Sequence, residues 1–159
     1  EYFLKLPHIE KKQFENALNT LLKSGVLDSK SPDTYCKPKS SDDHMNQYLS
    51  LCNICEPSLK RFYITMSVIW DQKSISKDKL QTTCDLIAKG LEKLEGWPYP
   101  EFSDKTKFKN FLEFLITEKY IKEDKDTELF SASKVTLKAQ ASYKTFFDDK
   151  FINQIQEIK

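Results

Sequence analysis

Glycine is scarce in this sequence, and several kinds of chemistry go with it. Only 3 of the 159 residues are glycine, and no glycine-rich loop is available to cradle a phosphate. Charge of one sign is also missing. The 25 basic residues nearly balance 24 acidic ones, whereas a nucleic-acid module draws most of its affinity from a basic surplus. No apolar run approaches the roughly 18 residues that a bilayer span needs. Histidine occurs twice, at His8 and His44, and no Ser-His-Asp, Cys-His or paired-carboxylate pattern is legible around either. The four cysteines are too few and too irregular for a disulfide framework in a chain of this size. Buried thiols in a reducing, cytoplasmic compartment are the plain reading. The opening EYFLKLPHIEKK has no basic n-region and no cleavage site, so it is not a signal peptide. Position 1 is not methionine, and the chain reads as a piece of something longer.

What is present is helical. Lys, Leu and Glu are common, and few glycines favour helix over sheet. Residues 9–24 carry Phe14, Ala17, Leu18, Leu21 and Leu22 at three- and four-residue spacing, one apolar stripe. Gly25 follows as a stop. Val26 and Leu27 then predict a short strand, SKSPD a turn, and residues 34–36 a returning strand. SSDD at 40–43 caps a helix through Met45, Tyr48, Leu49 and Cys52. Pro57 is placed to open the next helix, which is apolar on most faces through Trp70 and predicts a central buried element.

DQKS breaks that helix, and Ser76 caps a long one with Leu80, Thr83, Cys84, Ile87, Leu91 and Leu94 on one side, ended by Gly96. WPYPEFS cannot be helical through its two prolines. Ser103 or Asp104 caps a third helix with Phe108, Phe111, Leu112, Leu115 and Ile116. Residues 120–123 and 128–132 alternate around Lys125-Asp126-Thr127, a hairpin signal. One last helix is expected over roughly 134–158. KKQFENALNTLLKSGVLDS and KTKFKNFLEFLITEKYIKED echo each other, each a helix feeding a hairpin. The expected fold is mainly α with small β-hairpins, a helical domain with winged-helix-like helix-hairpin units. Residues 1–56 form an N-terminal helix-hairpin-helix subregion and 57–159 a winged-helix-like core plus a C-terminal helix, packed as one domain.

Three groups invite a functional reading. A winged helix can place the helix before its hairpin in the major groove. Residues 105–119 hold four lysines against two glutamates, but the wing, 122–128, holds two lysines against four acids, which argues against nucleic acid. Winged helices also serve as protein-binding scaffolds. Cys52 and Cys55 lie three apart, on one face of a helix, as a zinc half-site would; only Cys36, Cys84, His8 and His44 could complete it. Buried thiols are the simpler account, and no metal is assigned. Trp97, Tyr99 and Phe102 make their loop more apolar than a loop requires. Such residues either fold onto their own core or anchor an interdomain contact, and the three are the candidate docking residues.

RFYITMSVIW, SISKDKLQ, LEKLEGWPYPEFSDKTKF and LITEKYIKED, in that order, resemble the C-terminal region of the bacterial membrane-associated glycerol-3-phosphate acyltransferases. Arg61-Phe62, Ile75-Ser76, Pro100-Glu101-Phe102, Asp104-Lys105 and Tyr120-Ile121 carry the likeness over roughly 57–124, and it extends back to Phe14. The resemblance implies a parent enzyme that moves an acyl group from acyl-ACP or acyl-CoA to glycerol 3-phosphate. The product is lysophosphatidate, an early step of phospholipid synthesis. In that family a His-x-x-x-x-Asp motif does the chemistry, with histidine as general base. Here Gln13 stands five beyond His8 and Leu49 five beyond His44. No catalytic or cofactor-binding residue is therefore assigned to this chain, and it should be inactive alone. The resemblance further implies an upstream catalytic acyltransferase domain as partner, and a peripheral place on the cytoplasmic face of the inner membrane, reached through the parent. A winged-helix binding module for nucleic acid or protein is the alternative.

Overall fold

The computed structural model describes residues 11–32, 34–39, 41–96, 102–145 and 147–159. They form six helices and two small antiparallel sheets. The chain divides into two compact units, Glu1–Glu56 and Pro57–Lys159, and the boundary falls within the sequence of one long helix.

In the first unit, α1 (Lys11–Lys23) leads into strands β1 (Asp28–Ser31) and β2 (Thr34–Cys36). Gly25 takes φ +72°, and its N–H donates to the Leu22 carbonyl while the Val26 N–H reaches back to Leu21. This pair of bonds closes the helix as a Schellman motif. It also consumes Val26 and Leu27, so the strand begins at Asp28 and not at Val26. Among the described residues Val26 is the unit's one buried apolar side chain outside Pro38.

Helix α2 (Asp42–Asp71) runs unbroken through Pro57. Proline was expected to start a new helix; inside one it forfeits its own hydrogen bond to the residue 53 carbonyl, and the buried run that follows outweighs that loss. The Ser41 hydroxyl accepts the His44 N–H at 3.2 Å and caps the start. Residues Tyr63 to Ile69 are all buried, as a helix apolar all round must be.

The second unit continues with β3 (Ile75–Ser76), α3 (Lys77–Glu95), α4 (Lys105–Thr117), β4 (Ile121–Asp124), β5 (Leu129–Ala132), α5 (Lys134–Lys144) and α6 (Asp149–Ile158). The sheet order is β3-β5-β4, antiparallel throughout. Helix, short strand, two helices and a hairpin whose second strand pairs with the first strand make a winged-helix arrangement. Ile75 is buried and pairs with Phe130; a two-residue strand has too little alternation to be read from sequence.

Leu80, Cys84, Ile87 and Leu91 are the buried face of α3, while Leu94, expected beside them, is 59% exposed. The single last helix expected from sequence is two. Asp148 accepts the Phe151 N–H at 2.7 Å and restarts the helix, and Phe147 turns in against Tyr63 with ring centroids 4.8 Å apart. Phe151 joins them at 5.9 Å. Glu95 accepts from Lys150 and Gln154 across α3 and α6, and those bonds hold its carboxyl below the ordinary value. Gly90 lets α6 approach, since a Cβ there would stand 2.8 Å from the Ile158 side chain.

Candidate functional site

The apolar loop is fixed at both described ends. Gly96 closes α3 at φ 59° with its N–H on the Glu92 carbonyl. At the other end, the same Glu92 side chain takes two bonds from Ser103, N–H at 2.9 Å and hydroxyl at 2.8 Å. Asp104 rather than Ser103 caps α4, accepting the Thr106 N–H at 2.7 Å. Ser103 therefore belongs to the clamp on α3.

Phe102 does not stand on the surface. It is fully buried, edge-on to Phe108 at 6.4 Å, with the Arg61 guanidinium 5.5 Å from its ring centroid. A ring so enclosed belongs to its own core and is not presented to another domain, which corrects its place among the docking candidates. Trp97 and Tyr99 lie outside the described residues. Burial lowers the Arg61 pKa, opposed by Asp104. Lys60 and Arg61 cover the rings of Phe151 and Phe102.

The cysteines are not gathered. Cys36 is half-buried, Cys52 and Cys55 are exposed and Cys84 is buried, so burial holds for one thiol of the four. Burial pushes the Cys84 pKa up to about 12, against a weak contact to the Thr65 hydroxyl at 3.8 Å. Among the described residues no three His, Cys, Asp or Glu side chains come together as metal ligands. His44 packs under Gly25, beside a helix start.

One feature escaped the sequence reading. Asp78, Gln81, Thr82 and Lys105 line a polar cleft of about 190 Å³, with Phe108 as its apolar wall. Next to it Asp85 is 8% exposed. Its Oδ2 pairs with Lys89 at 2.9 Å and lies 4.0 Å from Lys105. Its Oδ1 and the Gln81 Nε2 are buried without a hydrogen-bond partner. Positions 78, 81, 82 and 85 share one helical face, and that polar stripe was the available signal. The group holds a salt bridge and offers no nucleophile or base arrangement.

A sequence profile described as the glycerol-3-phosphate acyltransferase C-terminal region matches residues 1–124. The chain belongs to this family. It is similar to the glycerol-3-phosphate acyltransferase of Pseudomonas fluorescens (strain Pf0-1), 31% identical over 114 residues that make up 70% of this chain and 14% of that protein. The acyltransferases of Pseudomonas entomophila (strain L48), at 31%, and Pseudomonas aeruginosa (strain UCBPP-PA14), at 26%, are covered to the same extent. No solved structure matches.

This member of the acyltransferase C-terminal family thus spans about one-seventh of the length of the relatives it matches. The comparisons give no support to a separate winged-helix binding module, although the winged-helix arrangement itself is present. The family profile stops at residue 124 in the middle of a structural unit. Beyond it, β5 completes the sheet and α6 packs on α3. Among the described residues no helix is long and apolar enough to cross a membrane.

Proposed function

We propose that this chain is the non-catalytic C-terminal domain of a glycerol-3-phosphate 1-O-acyltransferase. The parent transfers an acyl group from acyl-ACP or acyl-CoA to glycerol 3-phosphate and gives lysophosphatidate. The observation that carries this is the family match across 1–124, which covers the first unit and the winged-helix arrangement as far as β4. The residues within it agree with a supporting role. Half-buried Glu92 holds Ser103 in its turn, and buried Asp85 pairs with Lys89. General-base work needs a histidine oriented by an acid, and His44 is followed five residues on by Leu49.

In this reading the catalytic acyltransferase domain lies upstream in the same polypeptide, and the membrane surface is reached through it. Trp97 and Tyr99, carried between the Gly96 stop and the Phe102–Ser103 anchor, remain candidates for the contact with that domain. The test is acyl transfer by the purified 159-residue chain, supplied with glycerol 3-phosphate and either acyl-ACP or acyl-CoA. No lysophosphatidate is expected above the uncatalysed background. Turnover by the chain alone would overturn the assignment.

A further inference from the structure

The two helix-hairpin units have the same local structure but different cover. Each begins with a 13-residue helix, α1 or α4. Both helices end on a left-handed residue, Gly25 at φ +72° or Lys119 at φ +60°. Each repeats the same two closing bonds, Val26 to Leu21 with Gly25 to Leu22, and Tyr120 to Leu115 with Lys119 to Ile116. Phe14, Leu18 and Leu21 on α1 therefore occupy the places of Phe108, Leu112 and Leu115 on α4. In the second unit those three are 0–4% exposed and α3 packs against α4. In the first unit Phe14 is 40% exposed, and Leu18 and Leu21 are only half-buried.

The rest of the first unit is open in the same way. Residues 44–55 of α2 contain no Asp, Glu, Lys or Arg. Within that stretch Leu49 and Leu51 are 48% and 40% exposed and Ile54 is 71% exposed; Cys52 and Cys55 are exposed too. A solvated helix face carries charge, and loss of charge from an apolar patch is the compositional mark of an interface centre. A unit of 56 residues whose described residues bury so little is also at the lower limit of independent stability.

We infer that the first unit is one half of a packed layer, and that Phe14 and the uncharged 49–55 stretch of α2 dock against the part of the polypeptide that precedes this region in the longer acyltransferase relatives. The occupant follows from length. The matched region is 14% of those relatives, and a surface on the same chain is present at high effective concentration wherever the fold brings it near. This inference rests on the proposed function for the nature of its partner, and it adds the surface.

Cys52 and Cys55 report on that stretch directly. Maleimide labelling, mapped by peptide mass spectrometry, is run on the 159-residue chain and on the full-length polypeptide that carries it, with buried Cys84 as the unreactive control. Exposed thiols react and buried ones are inert. Cys52 and Cys55 should label readily in the short chain and at least about tenfold more slowly in the full-length protein. Ile54→Asp, at an exposed position, should leave the circular dichroism of the short chain unchanged and restore rapid labelling of Cys52 and Cys55 in the full-length protein. Equal labelling rates in the two proteins overturn the inference. So does labelling of the short chain that slows as its concentration rises, because a second copy would then be the occupant. An acyl-transfer assay on the same full-length sample keeps the two readings separate. Protection without acyl transfer removes the acyltransferase role and leaves the docking face, and acyl transfer without protection does the reverse.

Discussion

Phe102 is the residue whose meaning depends most on its surroundings. From sequence it is one of three aromatics in a proline-bounded loop, a composition that serves a core and an interface equally well. In the structure the ring is enclosed by Phe108 and Arg61, and the next residue is clamped by two bonds to Glu92. Truncating a buried phenylalanine leaves a cavity and typically costs about 3–5 kcal/mol. Phe102→Ala should therefore lower the stability of the isolated chain by about 3 kcal/mol, read as a shift in the urea midpoint at unchanged slope. A docking residue would behave otherwise, losing partner binding with the midpoint in place. The proline spacing showed that a loop was there. Nothing local could show that its last aromatic turns inward, because the residue after it is held by Glu92, eleven positions before that residue on α3.

At the scale of elements, the echo between the two helix-hairpin stretches extends to their helix ends. Gly25 and Lys119 hold the same left-handed position, which costs a residue with a Cβ roughly 1–2 kcal/mol. Lys119→Gly should stabilise the second unit by about 1 kcal/mol by relieving that strain. Gly25→Ala should destabilise the first by more than the strain alone, because the new Cβ would also stand 2.7 Å from the His44 ring. Opposite shifts of the two thermal midpoints check both at once. Elements with a long apolar period were legible: α1, α3 and α4 lie within a few residues of their expected spans, and the hairpin at 121–132 follows its alternation. Elements whose limits are set by tertiary contacts were not. β3 exists because Ile75 pairs with Phe130. The break between α5 and α6 exists because Phe147 packs on Tyr63 while Asp148 restarts the chain. Pro57 fails to interrupt α2 although its own preference is to start a helix.

For the molecule as a whole, burial is distributed very unevenly. Among the described residues, the second unit holds the fully buried large side chains, from Tyr63 on α2 to Phe130 on β5 and Ile155 on α6, while the first buries Val26 and Pro38. Apolar area removed from water stabilises at roughly 25 cal/mol per Å², so the two units cannot share one free energy of opening. The polar cleft beside Asp85 and the Glu95 link to Lys150 and Gln154, which joins α3 to α6, also lie in the second unit. Native-state hydrogen exchange should separate them. Amides of α1 and of the β1–β2 hairpin should exchange through a low-energy opening, and those of α3, β5 and the buried run of α2 only near the global free energy. In the full-length polypeptide the slow group should hardly change, and α1 with the 44–55 stretch of α2 should gain protection. The sign of that gain is informative. A first unit already complete would show the same exchange in both proteins, whereas one that lacks a packing layer must slow when the layer is supplied.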